Sequence, residues 1–406
     1  MKTLASRIAF LGGLALIGGA GCDDGEGTGG AGSTSTATGS TSATMTTSSS
    51  TGGGSMDPIT TPEGEWTFVD FPDSRCMNDE TTGIGVNLSS KSKDLVIFLQ
   101  GGNACFNTVS CAITANEKTG YQQAEFDKEK GTLAAAPLFS RTDATNPLKD
   151  YNYVYVPYCT GDVHGGDASG VMAGGKVRNF HGYKNLDLFL DRIIPTIPTA
   201  GKVILAGVSA GGFGAAYNYD HVAKRFPNNK VILIDDSGPP MGDAYVPACL
   251  QKYLFDLWGL KNTVPAGCAD CNQASGIFME PLVKYITTQY QDRTLALLSG
   301  TEDATISSFW GFGNEDCKDL QGTPGAYPGS LYAAGLADLR DRIAAPDPKF
   351  YTYYVDGTDG GDKARHVWLD DPTGVSSNGV LLTDWLDKLI SEDPSLVSVP
   401  AKMPIP

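Results

Sequence analysis

The apolar residues of the chain are grouped in short, nearly continuous runs separated by polar and glycine-rich segments. These runs are rich in β-branched and aromatic residues, and they cover Leu95–Gln100, Tyr151–Tyr158, Lys202–Gly207, Lys230–Asp235, Arg293–Leu298 and Phe350–Val355. Runs of this kind are typical of strands buried on both faces of a parallel sheet. Between them, apolar positions recur at helical spacing over Asn185–Ile194, and Phe213–Phe226 also indicates a helix. Alternating strands and helices predict an α/β fold with a mostly parallel central sheet flanked by helices.

The amino-terminal residues have a different pattern. Lys2 and Arg7 precede an apolar run over residues 8–20 that stops at a glycine and a cysteine, as in secretory signals. Residues 19–22 (GAGC) resemble the cleavage box of bacterial lipoproteins, although glycine stands at position 19, where leucine is usual. We therefore predict a lipoprotein-type signal peptide over 1–21, with lipidation of Cys22. The alternative is ordinary signal cleavage nearby, with that cysteine unmodified.

A low-complexity segment follows the signal. Of the 29 residues from Gly27 to Ser55, 28 are Gly, Ser, Thr or Ala. Such a composition cannot bury enough apolar surface to offset its ordering entropy, so residues 22–55 are predicted to be a flexible tether. Residues 56–406 contain no internal repeat and no second linker, and they are predicted to form one domain. We expect this domain to be exported, either as a lipoprotein of the bacterial cell envelope or in secreted form.

The net charge excludes some classes of binding partner, and the cysteine content indicates the cellular compartment. The chain has 46 acidic and 30 basic residues, a net charge of −16. This charge argues against nucleic acid as a binding partner, and membrane contact is expected only through the predicted lipid anchor. Eight of its nine cysteines follow Cys22, and an even set in an exported protein predicts four disulfides. Of the individual pairings, only Cys105–Cys111 can be predicted, because these two cysteines lie close together in the sequence. Cys268 and Cys271 also favour a disulfide over a zinc site, because no second ligand pair follows them.

A candidate nucleophile lies directly after the strand predicted over Lys202–Gly207. Residues 207–212 read Gly-Val-Ser-Ala-Gly-Gly and lead into a helix. This is the G-x-S-x-G elbow of the α/β-hydrolases in its strand-turn-helix context. Small neighbours allow the strained turn, and the helix amino terminus supplies donors for a developing oxyanion. Ser209 is therefore the predicted nucleophile, and the alternative is a structural turn serine.

The scarcity of histidine, with four in the chain, decides the candidate base. On this fold an acid and then the histidine follow the serine along the chain. His164 and His181 precede Ser209. His221 lies on the next helix, about three turns from the hydroxyl. His366 remains, in a loop after the last predicted strand, and it is the predicted general base, with an ordinary surface histidine as the alternative.

Several carboxylates could orient this base. Asp303 follows the strand predicted over Arg293–Leu298 and is our preferred acid, with its neighbour Glu302 as a substitute. Asp235 and Asp236, one strand earlier, are the other placement that reaches the base. Either set could instead cap a helix.

The oxyanion hole of this fold uses the N–H after the nucleophile and one from an earlier glycine-rich loop. Ala210 supplies the first. The second loop is present because the strand predicted over Leu95–Gln100 runs into Gly101-Gly102-Asn103. Two glycines at the carboxyl end of a strand allow backbone N–H groups to face a reacting carbonyl.

Taken together, several segments resemble the pectin acetylesterase family, whose animal branch includes the Notum carboxylesterases. They are 98–107 (FLQGGNACFN), 156–164 (VPYCTGDVH) and 207–212 (GVSAGG), with looser similarity at 301–305 and 364–368, so the resemblance spans about residues 66–390. It implies a triad of Ser209, Asp303 and His366, and an oxyanion hole of Gly102, Asn103 and Ala210. Asn103 departs from the aromatic residue often found there and Gln100 from the usual glutamate. Neither change removes a backbone N–H.

These observations predict an exported serine carboxylic ester hydrolase without metal or organic cofactor, acting on an acylated carbohydrate or another small ester. The preferred reaction is removal of acetyl or other short acyl groups from a polysaccharide. Alternatives are a fatty-acyl deacylase, a non-catalytic surface binding lipoprotein that retains the fold, and a lyase or peptidase with the same triad. The acidic balance disfavours de-esterified pectin, a polyanion. Insertions over Pro239–Gln291 and Ala304–Pro348 are expected to form the pocket walls. They hold Trp258, Phe309, Trp310 and Phe312, which are expected to belong to the core more often than to a sugar-binding platform. The oligomeric state is left open.

Overall fold

An eight-stranded sheet organises residues 57–400, the part of the chain that the computed structural model describes. Its strands are β1 (Thr67–Phe71), β2 (Thr82–Asn87), β3 (Leu95–Leu99), β4 (Asn152–Val156), β7 (Val203–Val208), β8 (Val231–Asp236), β9 (Leu295–Gly300) and β10 (Phe350–Val355). Two separate pairs are β5 (Ala168–Ala173) with β6 (Lys176–Phe180) and β11 (Ser376–Ser377) with β12 (Val380–Leu381). The predicted signal and tether lie outside the described residues.

The order of strands in the sheet is β1-β2-β4-β3-β7-β8-β9-β10. Neighbours from β4 to β10 are parallel, whereas β1 pairs antiparallel with β2 and β2 antiparallel with β4. The mostly parallel sheet is therefore confirmed, and each of the six predicted strands is present within two residues of its predicted ends. The antiparallel strands β1, at the edge of the sheet, and β2, its neighbour, were not predicted.

Helices cover both faces of the sheet. They are α1 (Thr108–Ala112), α2 (Gln123–Ala135), α3 (Gly182–Thr196), α4 (Ala210–Tyr217), α5 (Tyr219–Arg225), α6 (Ala248–Leu257), α7 (Met279–Gln289), α8 (Ala304–Trp310), α9 (Asn314–Cys317), α10 (Gly329–Leu339) and α11 (Leu382–Ser391). Alternate residues of the inner strands face opposite layers: Ile97 joins the core under α3, α6 and α7, and Phe98 joins the core under α2 and α11. None of the helices within residues 57–400 is both long and apolar enough to cross a membrane.

The helix predicted over Phe213–Phe226 is wrong in its bounds. It begins earlier, at Ala210, and is interrupted at Asn218, which separates α4 from α5. The Asn218 side-chain amide donates to the carbonyl oxygens of Gly214 and His164, both at 2.9 Å. The bond to His164 ties the break between the two helices to the loop that follows β4.

Four disulfides connect the loops of the described chain: Cys76–Cys159, Cys105–Cys111, Cys249–Cys317 and Cys268–Cys271. The predicted number and the predicted Cys105–Cys111 pair are confirmed. The cysteines of the C-x-x-C sequence pair with each other, as expected for a disulfide. Disulfides of this density fit an oxidising compartment.

Because the inner strands are parallel, their carboxyl ends meet at one edge of the sheet. The glycine-rich loop follows β3, Ser209 follows β7, Asp303 lies in the turn after β9, and His366 lies in the loop after β10. In sheets of this type, ligands bind in the crevice outside the carboxyl ends. The topology therefore brings every predicted site segment to the same edge.

Candidate active site

Ser209 stands on a strained turn between β7 and α4. Its φ and ψ are 59° and −122°, a conformation that is costly for a residue with a side chain. The turn needs glycine on both sides: a Cβ on Gly207 would lie 2.1 Å from the Gly211 carbonyl oxygen, and a Cβ on Gly211 would lie 1.9 Å from the Leu99 carbonyl oxygen. The sequence thus forces Ser209 to project from the carboxyl edge of the sheet, at the amino terminus of α4.

Asp303 and His366 form a hydrogen-bonded pair. Asp303 Oδ2 lies 2.7 Å from His366 Nδ1, and the carboxylate is fully buried. The other oxygen, Oδ1, accepts hydrogen bonds from the N–H groups of Thr305 (2.9 Å) and Ile306 (3.0 Å) and so caps α8. One carboxylate therefore performs both roles that the sequence left as alternatives, and its cap fixes the direction in which Oδ2 faces the imidazole.

The other candidate acids have different partners. Glu302 pairs with Lys363 at 2.6 Å. Asp235 accepts a hydrogen bond from the Gly238 N–H. Asp236 accepts hydrogen bonds from backbone N–H groups of the loop that carries His366, and it does not contact the imidazole ring. The geometry selects Asp303 as the partner of the histidine.

The serine and the histidine are not joined by a hydrogen bond in this structure. His366 Nε2, the ring atom that would take the proton of Ser209, is buried and has no hydrogen-bond partner within residues 57–400. Hydrogen bonds between a nucleophile and its base are often long in ligand-free sites and tighten when substrate binds. The unpaired nitrogen leaves the imidazole with an acceptor for an incoming hydroxyl proton.

Electrostatics set His366 apart from the other histidines. Burial lowers the pKa of His164 to about 4, and burial also lowers the pKa values of His181 and His221. Burial lowers the pKa of His366 too, but the hydrogen bond and charge of Asp303 outweigh it, and the net shift is upward. Of the four, His366 is the one whose protonated form its surroundings stabilise, as an acid–base residue requires.

The glycine-rich loop after β3 lies beside the elbow. Gly102 has a φ of 153° and Asn103 a φ of 69°, and the loop is fixed because the Asn103 amide donates to the Ile113 carbonyl oxygen at 2.7 Å. Within residues 57–400, the backbone N–H groups of Gly102, Asn103 and Ala210 make no hydrogen bond. Unpaired N–H groups beside the predicted nucleophile are the donor arrangement that an oxyanion hole requires.

A cavity of about 80 Å³ is lined in part by Ser209, Ala210 and Asn103. Its remaining walls are almost entirely apolar or aromatic: Ala104, Phe106, Val163, Phe213, Ala216, Tyr217, Gly238, Pro240, Val246, Leu250, Leu254, Trp258, Phe278, Met279, Leu282, Ile306, Phe309 and Trp310. Such a lining suits a hydrocarbon chain and offers few partners to a hydrated sugar.

The expected insertions contribute most of these walls, but Phe312 does not line the cavity. It packs edge-on against Phe106, with ring centroids 5.1 Å apart, behind the wall. The sequence reasoning missed the apolar side chains of α6 and α7. The helical spacing of Leu250 and Leu254 is the signal that could have found them.

The chain is similar to proteins of a known family. Residues 71–290, more than half of the chain, match the family model described as pectinacetylesterase. The palmitoleoyl-protein carboxylesterase NOTUM of Schmidtea mediterranea is 32% identical over 165 residues, which are 38% of this chain and 30% of that protein. The palmitoleoyl-protein carboxylesterase notum2 of Xenopus laevis is 32% identical over 151 residues, 36% of this chain and 30% of that protein. The matches thus span less than a third of these relatives.

Among solved structures, the Wnt deacylase Notum from Drosophila is similar in fold. It superposes with a TM-score of 0.56 at 16% sequence identity, over 85% of this chain and 97% of that one. The match to the family model, together with these relatives, gives the assignment: the chain belongs to the pectin acetylesterase family, a family of carboxylic ester hydrolases.

Proposed function

We propose that the protein is an exported serine carboxylesterase that removes short acyl groups, through Ser209, His366 and Asp303, from an acylated carbohydrate or another small ester. The observation that carries the proposal is the combination of an elbow serine in the wall of an apolar cavity with a buried histidine–aspartate pair on neighbouring strand ends. The family assignment supports the same reaction class. Four disulfides support export, while the lipid anchor at Cys22 stays a prediction from the sequence.

In the proposed mechanism, His366 Nε2 accepts the hydroxyl proton as Ser209 Oγ attacks the ester carbonyl. The N–H groups of Gly102, Asn103 and Ala210 stabilise the negative charge on the tetrahedral intermediate. Collapse expels the alcohol, which takes the proton from the imidazolium, and leaves an acyl-serine. Water then attacks with His366 again as base, and the carboxylic acid is released.

The cavity supports acyl groups longer than acetyl. Its volume of about 80 Å³ is about half that of an apolar cavity of ~150 Å³ that binds benzene. A single methyl group leaves most of such a space unfilled, whereas a few methylenes would occupy it. Each buried methylene contributes about 0.8 kcal/mol, or roughly a fourfold gain in kcat/KM while the chain still fits.

This gives a chain-length prediction. With 4-nitrophenyl esters, kcat/KM should be about 15-fold higher for butanoate than for acetate, since two more methylenes are buried. Filling the cavity with Ala216→Leu should remove this advantage and leave acetate hydrolysis nearly unchanged. A wild-type enzyme that hydrolyses acetate faster than butanoate would contradict the proposed acyl site and favour a deacetylase.

A second candidate is a fatty-acyl deacylase. The relatives are named palmitoleoyl-protein carboxylesterases, and the aromatic and aliphatic lining of the cavity favours a hydrocarbon chain. The same ester series separates the two candidates. A kcat/KM that keeps rising up to long-chain esters would support a fatty-acyl deacylase. A kcat/KM that falls after a few methylenes would support an esterase for short acyl groups.

The pH dependence follows from His366. Only the neutral imidazole can accept the serine proton, and Asp303 raises the pKa of this histidine above its ordinary value. We therefore expect kcat/KM for 4-nitrophenyl butanoate to fall as the pH is lowered, starting above the pH at which an ordinary histidine with a pKa of about 6.5 becomes protonated. The variant His221→Gln should keep the same profile, because His221 pairs with Asp187 away from the site. A flat profile between about pH 5 and pH 9 would refute the role of His366.

A further inference from the structure

Three consecutive backbone N–H groups directly after His366 are bound by two buried side chains at the end of β8. The Val367 N–H donates to Ser237 Oγ at 3.2 Å. The N–H groups of residues 368 and 369 both donate to Asp236 Oδ2, at 2.6 and 2.7 Å. The hydroxyl of Ser237 in turn donates to Asp236 Oδ1 at 2.9 Å. The backbone that carries the histidine is therefore fixed by side chains from a different strand.

The loop needs this support because its backbone is strained next to the histidine. Val367 has a φ of 60°, which is rare for a β-branched residue. Conformations of this kind persist only where surrounding contacts determine them. Without acceptors for the three N–H groups, the loop would relax toward ordinary dihedral angles and turn the imidazole of His366 with it.

Asp236 also holds the nucleophile. Its carbonyl oxygen accepts the Ser209 N–H at 2.7 Å, and in the sheet it lies opposite Val208, the residue before the nucleophile. The backbone of Asp236 thus fixes the elbow while its side chain fixes the loop of His366. Asp236 is fully buried, so neither contact competes with solvent.

We propose that Asp236 is a positioning residue that sets the distance and direction between His366 and Ser209. This inference rests on the proposed function and adds a residue to it. The carboxylate does not touch the imidazole ring or the substrate cavity. It acts through the backbone N–H groups of residues 368 and 369, and Ser237 accepts the third N–H, that of Val367.

The carboxylate also contributes charge. The groups that act on the imidazole are Asp303 from the turn after β9, Asp236 from the end of β8, and Asp370 from the same loop. All three favour the protonated ring. Burial raises the pKa of Asp236 itself to about 6, although the N–H groups of residues 368 and 369 lower it. Removing the Asp236 charge should lower the pKa of His366 and move the acidic limb of the rate profile to lower pH.

The experiment compares Asp236→Ala with Asp235→Ala, a matched control. Both aspartates are buried neighbours at the end of β8, but Asp235 accepts from the Gly238 N–H and does not touch the loop. With 4-nitrophenyl butanoate, Asp236→Ala should lower kcat about 100-fold with KM changed by less than about threefold. Asp235→Ala should leave kcat within about threefold. Asp236→Asn should recover kcat to within about tenfold, because an amide oxygen can accept the same two N–H groups.

A double-mutant test separates positioning from general damage. In a His366→Ala background, Asp236→Ala should lower the residual rate by less than about twofold, since its effect runs through a histidine that is no longer there. A full further loss in that background, or an equal loss of kcat in Asp235→Ala, overturns the proposal. If Asp236→Ala does not fold, Ser237→Ala decides: a loss of kcat of about tenfold supports the inference and an unchanged kcat overturns it. Wild-type turnover in His366→Ala alone would instead overturn the proposed function.

Discussion

Replacing Ser209 with alanine should lower kcat for 4-nitrophenyl butanoate by at least about 10⁴-fold, leaving only the residual rate that substrate binding and the oxyanion-hole donors support. Alanine keeps the Cβ, so the positive-φ elbow and the N–H donors of α4 persist while the attacking oxygen is lost. The melting temperature should change little. The measurement is initial rate against ester concentration, with circular dichroism to verify the fold.

The matched control is Ser169→Ala, which removes a hydroxyl from the β5–β6 hairpin, where it contacts His181 at 2.7 Å. It should keep wild-type kcat. A fluorophosphonate probe should phosphonylate the serine with loss of fluoride, so the wild type and the control gain the mass of the phosphonyl group and Ser209→Ala does not. An unmodified wild type without ester turnover would favour the rival in which the domain is a binding lipoprotein that retains the fold.

The inner sheet could be predicted from the sequence because burial on both faces leaves an unmistakable pattern. The residues of β3 and β8 are all buried, so their apolar runs are continuous. Strand β2 lies between β1 and β4 and is also buried along its whole length, but it reads Thr-Gly-Ile-Gly-Val-Asn, without a continuous apolar run. Gly83 is required there because a Cβ would lie 2.1 Å from the Val69 carbonyl oxygen. Glycine weakens strand propensity, so close packing against β1 concealed the strand.

The site could be predicted as far as local motifs and chain order extend. The elbow around Ser209 is local, and elimination left His366. The choice between Asp303 and the aspartates at 235 and 236 depended on side-chain direction, which spacing does not encode. The hydrogen bonds that tie Asp236 to the loop of His366 join residues more than 100 positions apart. The α8 cap of Asp303 is local, but the contact of Asp303 with His366 spans 63 positions. From the sequence, Asp236 was an alternative to Asp303 as the acid that orients His366. In the structure it contacts the backbone after His366 instead of the imidazole ring.

The second large effect is expected for Asp303→Asn, with a loss in kcat of about 10⁴-fold near neutral pH. The reason is the double role of this side chain. Oδ1 must accept the N–H groups of Thr305 and Ile306, so an asparagine will place its oxygen there and direct its NH₂ group at His366 Nδ1. The amide then donates where the carboxylate accepted. This holds the imidazole with its proton on Nε2, where it cannot accept a proton from the serine.

Because asparagine is as good a helix cap as aspartate, α8 should remain intact and the variant should unfold at nearly the wild-type temperature. Glu302→Gln is the matched control, since it neutralises the adjacent carboxylate, which pairs with Lys363 at the surface. That variant should keep kcat within about threefold, as expected for an exposed ion pair. Equal kcat in Asp303→Asn and wild type would mean that the 2.7 Å contact with His366 serves folding rather than proton transfer, and the acid would have to be sought elsewhere. A loss of kcat in Asp303→Asn but not in Glu302→Gln would separate the two roles of Asp303. It would show that catalysis requires the charge of this carboxylate and its control of the imidazole tautomer, in addition to the helix cap.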